Sequence, residues 1–350
     1  MSLVKGLRER LRDGESVICA EGYMWELEKR GYLKCGAFTP EVVLDHPDVV
    51  VSLHEEFVHA GSDVVEAFTY YGHRERLKKI GRGDDMEQLN LTALKLARDV
   101  ADRTHTLMAG NLSNSTLYDP DDHTTVRKIR DMFQEQVQWA VKGGADYLIG
   151  ETFNDLGEAK LALEAMKTFG QGLPVVITIT PYFPDVTSDD VAIPEALRQL
   201  EELGADVVGL NCGRGPHTML PLLREVRTVC KGPLAALPVP LRTNDREKSF
   251  MSLTDPVTGE RAYPLDTAPV QCSRKEIRAF AEEARKLDIN YIGLCCGNAS
   301  YYIREVAEAY GKKPPSLNYA PDLSLSFVVG DIEEKGERGK KIRSHLSGWK

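Results

Sequence analysis

Long apolar runs are missing from this sequence. No stretch approaches the roughly 18 consecutive apolar residues that a membrane-spanning helix needs, so a spanning segment is excluded. Positive charge is in deficit as well. The formal net charge of −9 argues against non-specific binding to nucleic acid or to an anionic membrane. The amino-terminal stretch MSLVKGLRERLRDGES is too charged to supply the apolar centre of a signal peptide. Seven cysteines, an odd number spread over 350 residues, do not resemble a secreted disulfide framework, and a cytoplasmic setting is expected. No GxGxxG turn follows the first β-rich run, where CAEGYMW stands. That absence counts against a dinucleotide-binding, doubly wound open sheet. A strand-end lysine suited to a Schiff base is also lacking, which weighs against one kind of barrel lyase or aldolase.

What is present is ordinary globular composition, 42% hydrophobic and 28% charged, arranged as a regular alternation. Short β-rich runs cover residues 16–20, 62–67, 107–111, 146–150, 174–180, 206–211, 234–238 and 290–294. Between them lie amphipathic stretches at 40–60, 89–103, 124–143, 156–168, 193–203, 219–229 and 274–287. Several helical stretches end in glycine just before the next strand, as in HAGSDVV, KGGADYLI and ELGADVVG. Continuous apolar strands separated by helices predict a parallel sheet covered on its outer face. Eight such units predict a TIM (β/α)8 barrel over residues 1–312, with a C-terminal extension at 313–350. The extension begins with a proline-bearing stretch and ends in a charged tail. Packing on a neighbouring subunit in a homo-oligomer is one expected use for it, and disorder is the other.

Active sites of such barrels lie at the carboxyl ends of the strands. Those ends carry Glu21, Glu66, Asn111, Glu151-Thr152, Thr180, Asn211-Cys212 and Cys295-Cys296. The long segment 243–267 follows the seventh strand on the same face and is expected to form a lid or substrate wall. Cys19, Cys35, Cys230 and Cys272 read as small buried hydrophobes. Cys212 in VVGLNCGRG and the pair Cys295-Cys296 in YIGLCCGN are different, because each ends a strand at a glycine-bearing loop. Three thiolates gathered there would make a soft site with one position open, which favours zinc in a catalytic role. Two adjacent cysteines on one ion need an irregular backbone, for which Gly297 gives freedom. Zinc of this kind suits thiolate attack on an electrophilic carbon.

These residues carry a family likeness. LEKRGYLKCGAFTPEVVLDHPDVV, FTYYG, GETF, GLNC and YIGLCCG make the chain resemble the homocysteine S-methyltransferase family, in particular its betaine–homocysteine branch, over about residues 5–310. The resemblance implies a zinc-containing TIM barrel that moves a methyl group from an onium donor to homocysteine, giving methionine. It implies Cys212, Cys295 and Cys296 as zinc ligands, Glu151 as the residue meeting the homocysteine ammonium group, and Tyr71 in the donor pocket. Phe38 stands where the branch usually has tryptophan; Tyr23, Trp25 and Tyr70 are candidates to complete an aromatic cage for an onium group.

Departures from the family pattern fall around both substrates. Ala20-Glu21-Gly22 replaces the usual Asp-Gly-Gly or Asp-Gly-Ala, Ala67 replaces a threonine after Glu66, and Thr152 replaces a tyrosine. Glu21 and Glu66 would add negative potential, favouring a cationic donor or an acceptor ammonium group. The donor is therefore open among betaine, dimethylsulfoniopropionate, S-methylmethionine and S-adenosylmethionine, and the acceptor between homocysteine and another small thiol. A non-catalytic zinc–thiol redox sensor is the reading from a different class.

Overall fold

The computed structural model describes residues 4–34, 36–264 and 266–326, together with Glu337, Lys341, Ser344 and His345. Cys35 and much of the expected C-terminal extension lie outside the described residues. Residues 1–314 and 315–350 form two compact units. In the second, 3-10 turns cover Pro315–Tyr319 and Leu323–Leu325.

The first unit is the expected TIM barrel. Its strands are β1 (Val17–Ala20), β2 (Val64–Glu66), β3 (Leu107–Ser113), β4 (Tyr147–Phe153), β5 (Val175–Ile179), β6 (Val207–Asn211), β7 (Leu234–Leu237) and β8 (Ile289–Leu294). Each pairs in parallel with the next, and β8 returns to β1 to close the cylinder. Strands such as VVITI and VVGLN are buried along their whole length. That is why they read as unbroken apolar runs rather than alternating ones. Helices follow the strands and cover the outside, among them Met86–Thr104, His123–Lys142, Leu156–Phe169 and Arg274–Lys286. Among the described residues no helix is long and apolar enough to cross a membrane.

One expected helix is corrected. The stretch 40–60 is two helices, Val42–Asp45 and Pro47–Ala60, because the proline ring disfavours helical backbone at the preceding residue. His46 there has a φ of −143°. The helix Tyr23–Lys29, directly after β1, carries Tyr23 and Trp25 and caps part of the barrel mouth.

Alternation along the strands sorts the barrel interior into layers. Val17, Cys19, Val64, Leu107, Ala109, Tyr147, Ile149, Val176, Val207, Ala235, Leu237 and Tyr291 pack together inside the cylinder, with Leu7 of the helix Leu7–Arg12. Continuing each strand by the same step of two reaches Glu21, Glu66, Asn111, Glu151, Thr178, Asn211 and Cys295. The polar ring is thus the uppermost layer of the interior.

Candidate metal centre and substrate pocket

The sulfurs of Cys212, Cys295 and Cys296 lie within 4.8 Å of one another. Those of Cys295 and Cys296 are 3.9 Å apart. A tetrahedral ion with Zn–S bonds of about 2.3 Å would space its sulfurs at about 3.8 Å, so the donor set fits that ion. Backbone bonds hold the cluster: Cys212 N–H donates to the carbonyl of Leu237 at 2.9 Å, and Cys295 N–H to that of Pro238 at 3.0 Å. Gly297 has a φ of +87°, the turn the vicinal pair requires. Gly22 is needed as well, since a Cβ there would lie 2.5 Å from the Cys295 carbonyl oxygen.

A left-handed backbone explains how neighbours in sequence face one cavity. Strand alternation would send one of Asn211 and Cys212 outward, but Cys212 has a φ of +56°. Thr152 and Tyr71, at +61° and +55°, do the same after Glu151 and Tyr70. Such backbones in non-glycine residues are costly and tend to mark functional sites.

Hydrogen bonding with Cys295 and Cys296 pulls the Cys212 thiol well below its ordinary pKa, and the same contacts push those two partners up. The cluster therefore takes one negative charge readily and resists more. Three thiolates there need a cation.

Beneath the sulfurs sit three buried carboxylates. Asn111 Nδ2 donates to Glu66 at 2.5 Å and to Glu151 at 2.6 Å. Asn211 Nδ2 donates to Glu151 at 2.9 Å and to Glu21 at 3.2 Å. The Asn211 oxygen accepts from Thr152 N–H and the Thr178 hydroxyl, which fixes the amide's orientation. Burial raises all three carboxyl pKa values, with charge repulsion from Glu151 adding to the effect on Glu21 and Glu66; Glu151 itself rises to about 7. One oxygen of Glu21 is buried without a partner. Glu21, Glu151 and Cys295 also bring donor atoms within 4.8 Å of one another, although three sulfurs are the softer set.

Above the sulfurs the cavity is aromatic. Tyr23, Trp25, Phe38, Tyr70, Tyr71, Tyr182, Phe250 and Tyr263 line it with Glu66, Glu151, Thr152 and the three cysteines. Trp25 stacks on Tyr263 with ring centres 5.7 Å apart, and Phe250 stands edge-on to both. Phe250 and Tyr263 come from segment 243–267, so that segment does supply a wall of the pocket. Glu21 and Asn211 are not in the lining and lie behind it.

Among the lining residues that escaped the sequence reading are Tyr182, Tyr263 and Arg76. Tyr182, with its hydroxyl 4.0 Å from Cys212 Sγ, follows β5 by a few residues, and inspection of the loops beyond the strand ends would have found it. The buried Arg214 holds its loop through the carbonyls of Pro181 and Phe183 and the carboxylate of Asp185. Tyr263 is reached only through a long loop. Arg76, on the short helix Arg74–Leu77, gave no signal.

Comparison with known proteins agrees with this architecture. The family model described as homocysteine S-methyltransferase matches residues 17–310. Betaine–homocysteine S-methyltransferase 1 of Bos taurus is 33% identical over 360 residues, covering 99% of this chain and 82% of the relative. The S-methylmethionine–homocysteine S-methyltransferase of Pongo abelii is 32% identical over 353 residues, covering 99% of this chain and 89% of its own. In fold, the chain is similar to the metallated homocysteine methyltransferase of Escherichia coli, with a TM-score of 0.67 at 17% identity, covering 85% of this chain and 98% of that one. A match across almost the whole barrel, and one-third identity along nearly the whole chain, establish that this protein belongs to the homocysteine S-methyltransferase family.

Proposed function

We propose that this chain is a zinc-dependent enzyme that moves a methyl group from a small onium donor to homocysteine, giving methionine. The observation that carries this reading is the meeting of three thiols and a buried carboxylate cluster at one end of an aromatic cavity. Relatives named for betaine or S-methylmethionine as donor, and for homocysteine as acceptor, support it.

Cys212, Cys295 and Cys296 would hold zinc, whose positive charge lets the acceptor's thiol ionise at neutral pH, where a free thiol of pKa near ~8.5 is mostly protonated. Glu151, steadied by Asn111 and Asn211, takes the acceptor's ammonium group. Glu21 and Glu66 add negative potential at the same end. Phe38, Tyr70, Tyr71 and Tyr182 present aromatic faces to the onium group, and the rings keep water from the reacting sulfur. With sulfur and methyl carbon in line, the S–C bond forms as the donor's C–N or C–S bond breaks. The electron pair leaves with the neutral amine or sulfide, so no general base is required at that step.

A reducing, cytoplasmic setting belongs to this reading, and the free thiols of Cys212, Cys295 and Cys296 support it. A homo-oligomer belongs to it too.

The test is methionine formation by reduced, zinc-loaded protein from homocysteine and, in turn, betaine, dimethylsulfoniopropionate and S-methylmethionine. Glu151→Gln should keep its metal while KM for homocysteine rises about 10–100-fold, the loss of one charge-assisted contact. Zinc-bound protein that forms no methionine with any donor would move the search to other thiols.

A further inference from the structure

The cavity lining is acidic and sulfur-rich at one end, yet it contains one basic side chain among the described residues, Arg76. Arginines elsewhere in the barrel are commonly paired with acids: Arg30, Arg82, Arg98, Arg198 and Arg278 each have two carboxylate partners. No described carboxylate pairs with Arg76. Its Nη2 donates to the carbonyl of Ala37 at 2.7 Å, and its Nε is buried with no partner at all. The guanidinium lies 4.4 Å above the ring of Tyr71.

A partly desolvated guanidinium with an idle N–H is costly unless an anion completes it. Its position also orders any ligand. An onium group beside Arg76 would meet like charge, whereas the sulfur and carboxylate end attracts it. Tyr71 stands between the two ends. Burial raises its hydroxyl pKa; Arg76 draws it down and Cys212 pushes it up. A ligand spanning the cavity would therefore place its cation toward Cys212 and an anion at Arg76.

We infer that Arg76 receives a carboxylate carried by the methyl donor, so that the pocket selects onium carboxylates, trimethylammonium or dimethylsulfonium groups on a short acid, over oniums without an anion. This rests on the methyl-transfer reading above, whose donors all carry a carboxylate, and assigns the residue that reads it. Arg76 offers the planar fork that suits a carboxylate, and the Ala37 contact fixes the fork beside the loop bearing Phe38, whose φ is +53°.

Two measurements test it. Calorimetric titration without acceptor compares betaine with tetramethylammonium on wild type, Arg76→Gln and Arg76→Lys. Methionine formation then compares kcat/KM for dimethylsulfonioacetate with that for trimethylsulfonium. We expect wild type to prefer the carboxylate-bearing ligand, and Arg76→Gln to shrink that preference about 10–100-fold in both assays. Arg76→Lys should keep part of it. Equal binding of betaine to wild type and Arg76→Gln, or no preference in wild type, overturns the inference whether or not methionine forms. A lost preference in binding with no methionine from any donor leaves the inference standing and sinks the methyl-transfer reading instead.

Discussion

The floor and the mouth of the barrel interior are made by the same strands a few residues apart, and they obey opposite rules. The floor is apolar, with Leu7, Val17, Val64, Leu107, Val176 and Val207 packed together. Its two hydroxyls satisfy each other, Tyr147 to Tyr291 at 2.8 Å. The mouth holds three carboxylates and three thiols, with an oxygen of Glu21 and one of Asn111 left without partners. Left-handed backbone at Thr152 and Cys212 adds strain there. A floor of this kind is complete as folded. The mouth gathers acids that burial holds toward their neutral forms; on the proposed reading, a metal at the sulfurs and an ammonium at the carboxylates would let them ionise. Instability is concentrated where chemistry is expected, as stability–function trade-offs predict.

The largest break in this contrast should come from removing one sulfur. Cys296→Ala leaves two thiols, too few for a closed tridentate set, and metal content and methyl transfer should fall together. Losing the charge that ionises the acceptor is worth about 4 kcal/mol of barrier, or roughly a thousandfold in rate. Metal analysis beside turnover decides the point: a variant with full zinc and full activity removes Cys296 from the ligand set. Chelation of the wild-type protein should lower its melting temperature, whereas an ordinary buried cysteine such as Cys230 should be indifferent to chelator.

Much of this architecture was legible in the sequence because its signals are local. All eight strands were readable from short apolar runs and the glycines before them, and the polar ring from the residue at each strand's end. Proline at position 47 was visible too, but apolar spacing on both sides concealed the break it makes. What the pattern hid depends on backbone turns. That Cys212 and Asn211, or Thr152 and Glu151, both face inward follows from positive φ angles that alternation does not foresee. Tyr182 and Tyr263 arrive through loops, and Arg76 lies on a four-residue helix without periodicity. Substrate-end residues are the least legible, since their task depends on which charges meet across the barrel rather than along the chain.

A smaller effect should appear in how the mouth responds to pH. Glu66 is buried, donates no charge to any described cation, and has its carboxyl pKa raised by burial and by Glu151. In the unfolded chain it ionises near 4.5, so the folded protein binds the extra proton above that pH. Stability from this group is present below about 4.5 and is lost as pH climbs toward the raised value. Glu66→Gln in metal-free protein should therefore match wild type near pH 5 and unfold at higher urea near pH 8. Parallel urea midpoints across that range would mean that Glu66 is ionised and compensated in the fold.

The smallest effect should come from the floor, and it is the control that gives the others meaning. Tyr147→Phe removes one hydroxyl and the hydrogen bond it shares with Tyr291, a loss of about 1 kcal/mol for a buried hydrogen bond. Ring packing is unchanged, and the strand positions that carry Glu151 and Cys295 lie several residues further on. Urea midpoints should fall at every pH by the same amount, while kcat and KM stay at wild-type values. If turnover dropped with stability, floor and mouth would be one cooperative layer, and effects at Cys296 or Glu66 could no longer be assigned to local chemistry. If only stability moves, the interior is divided as its charges suggest: a packed base that holds the strands, and a strained rim that they hold in place.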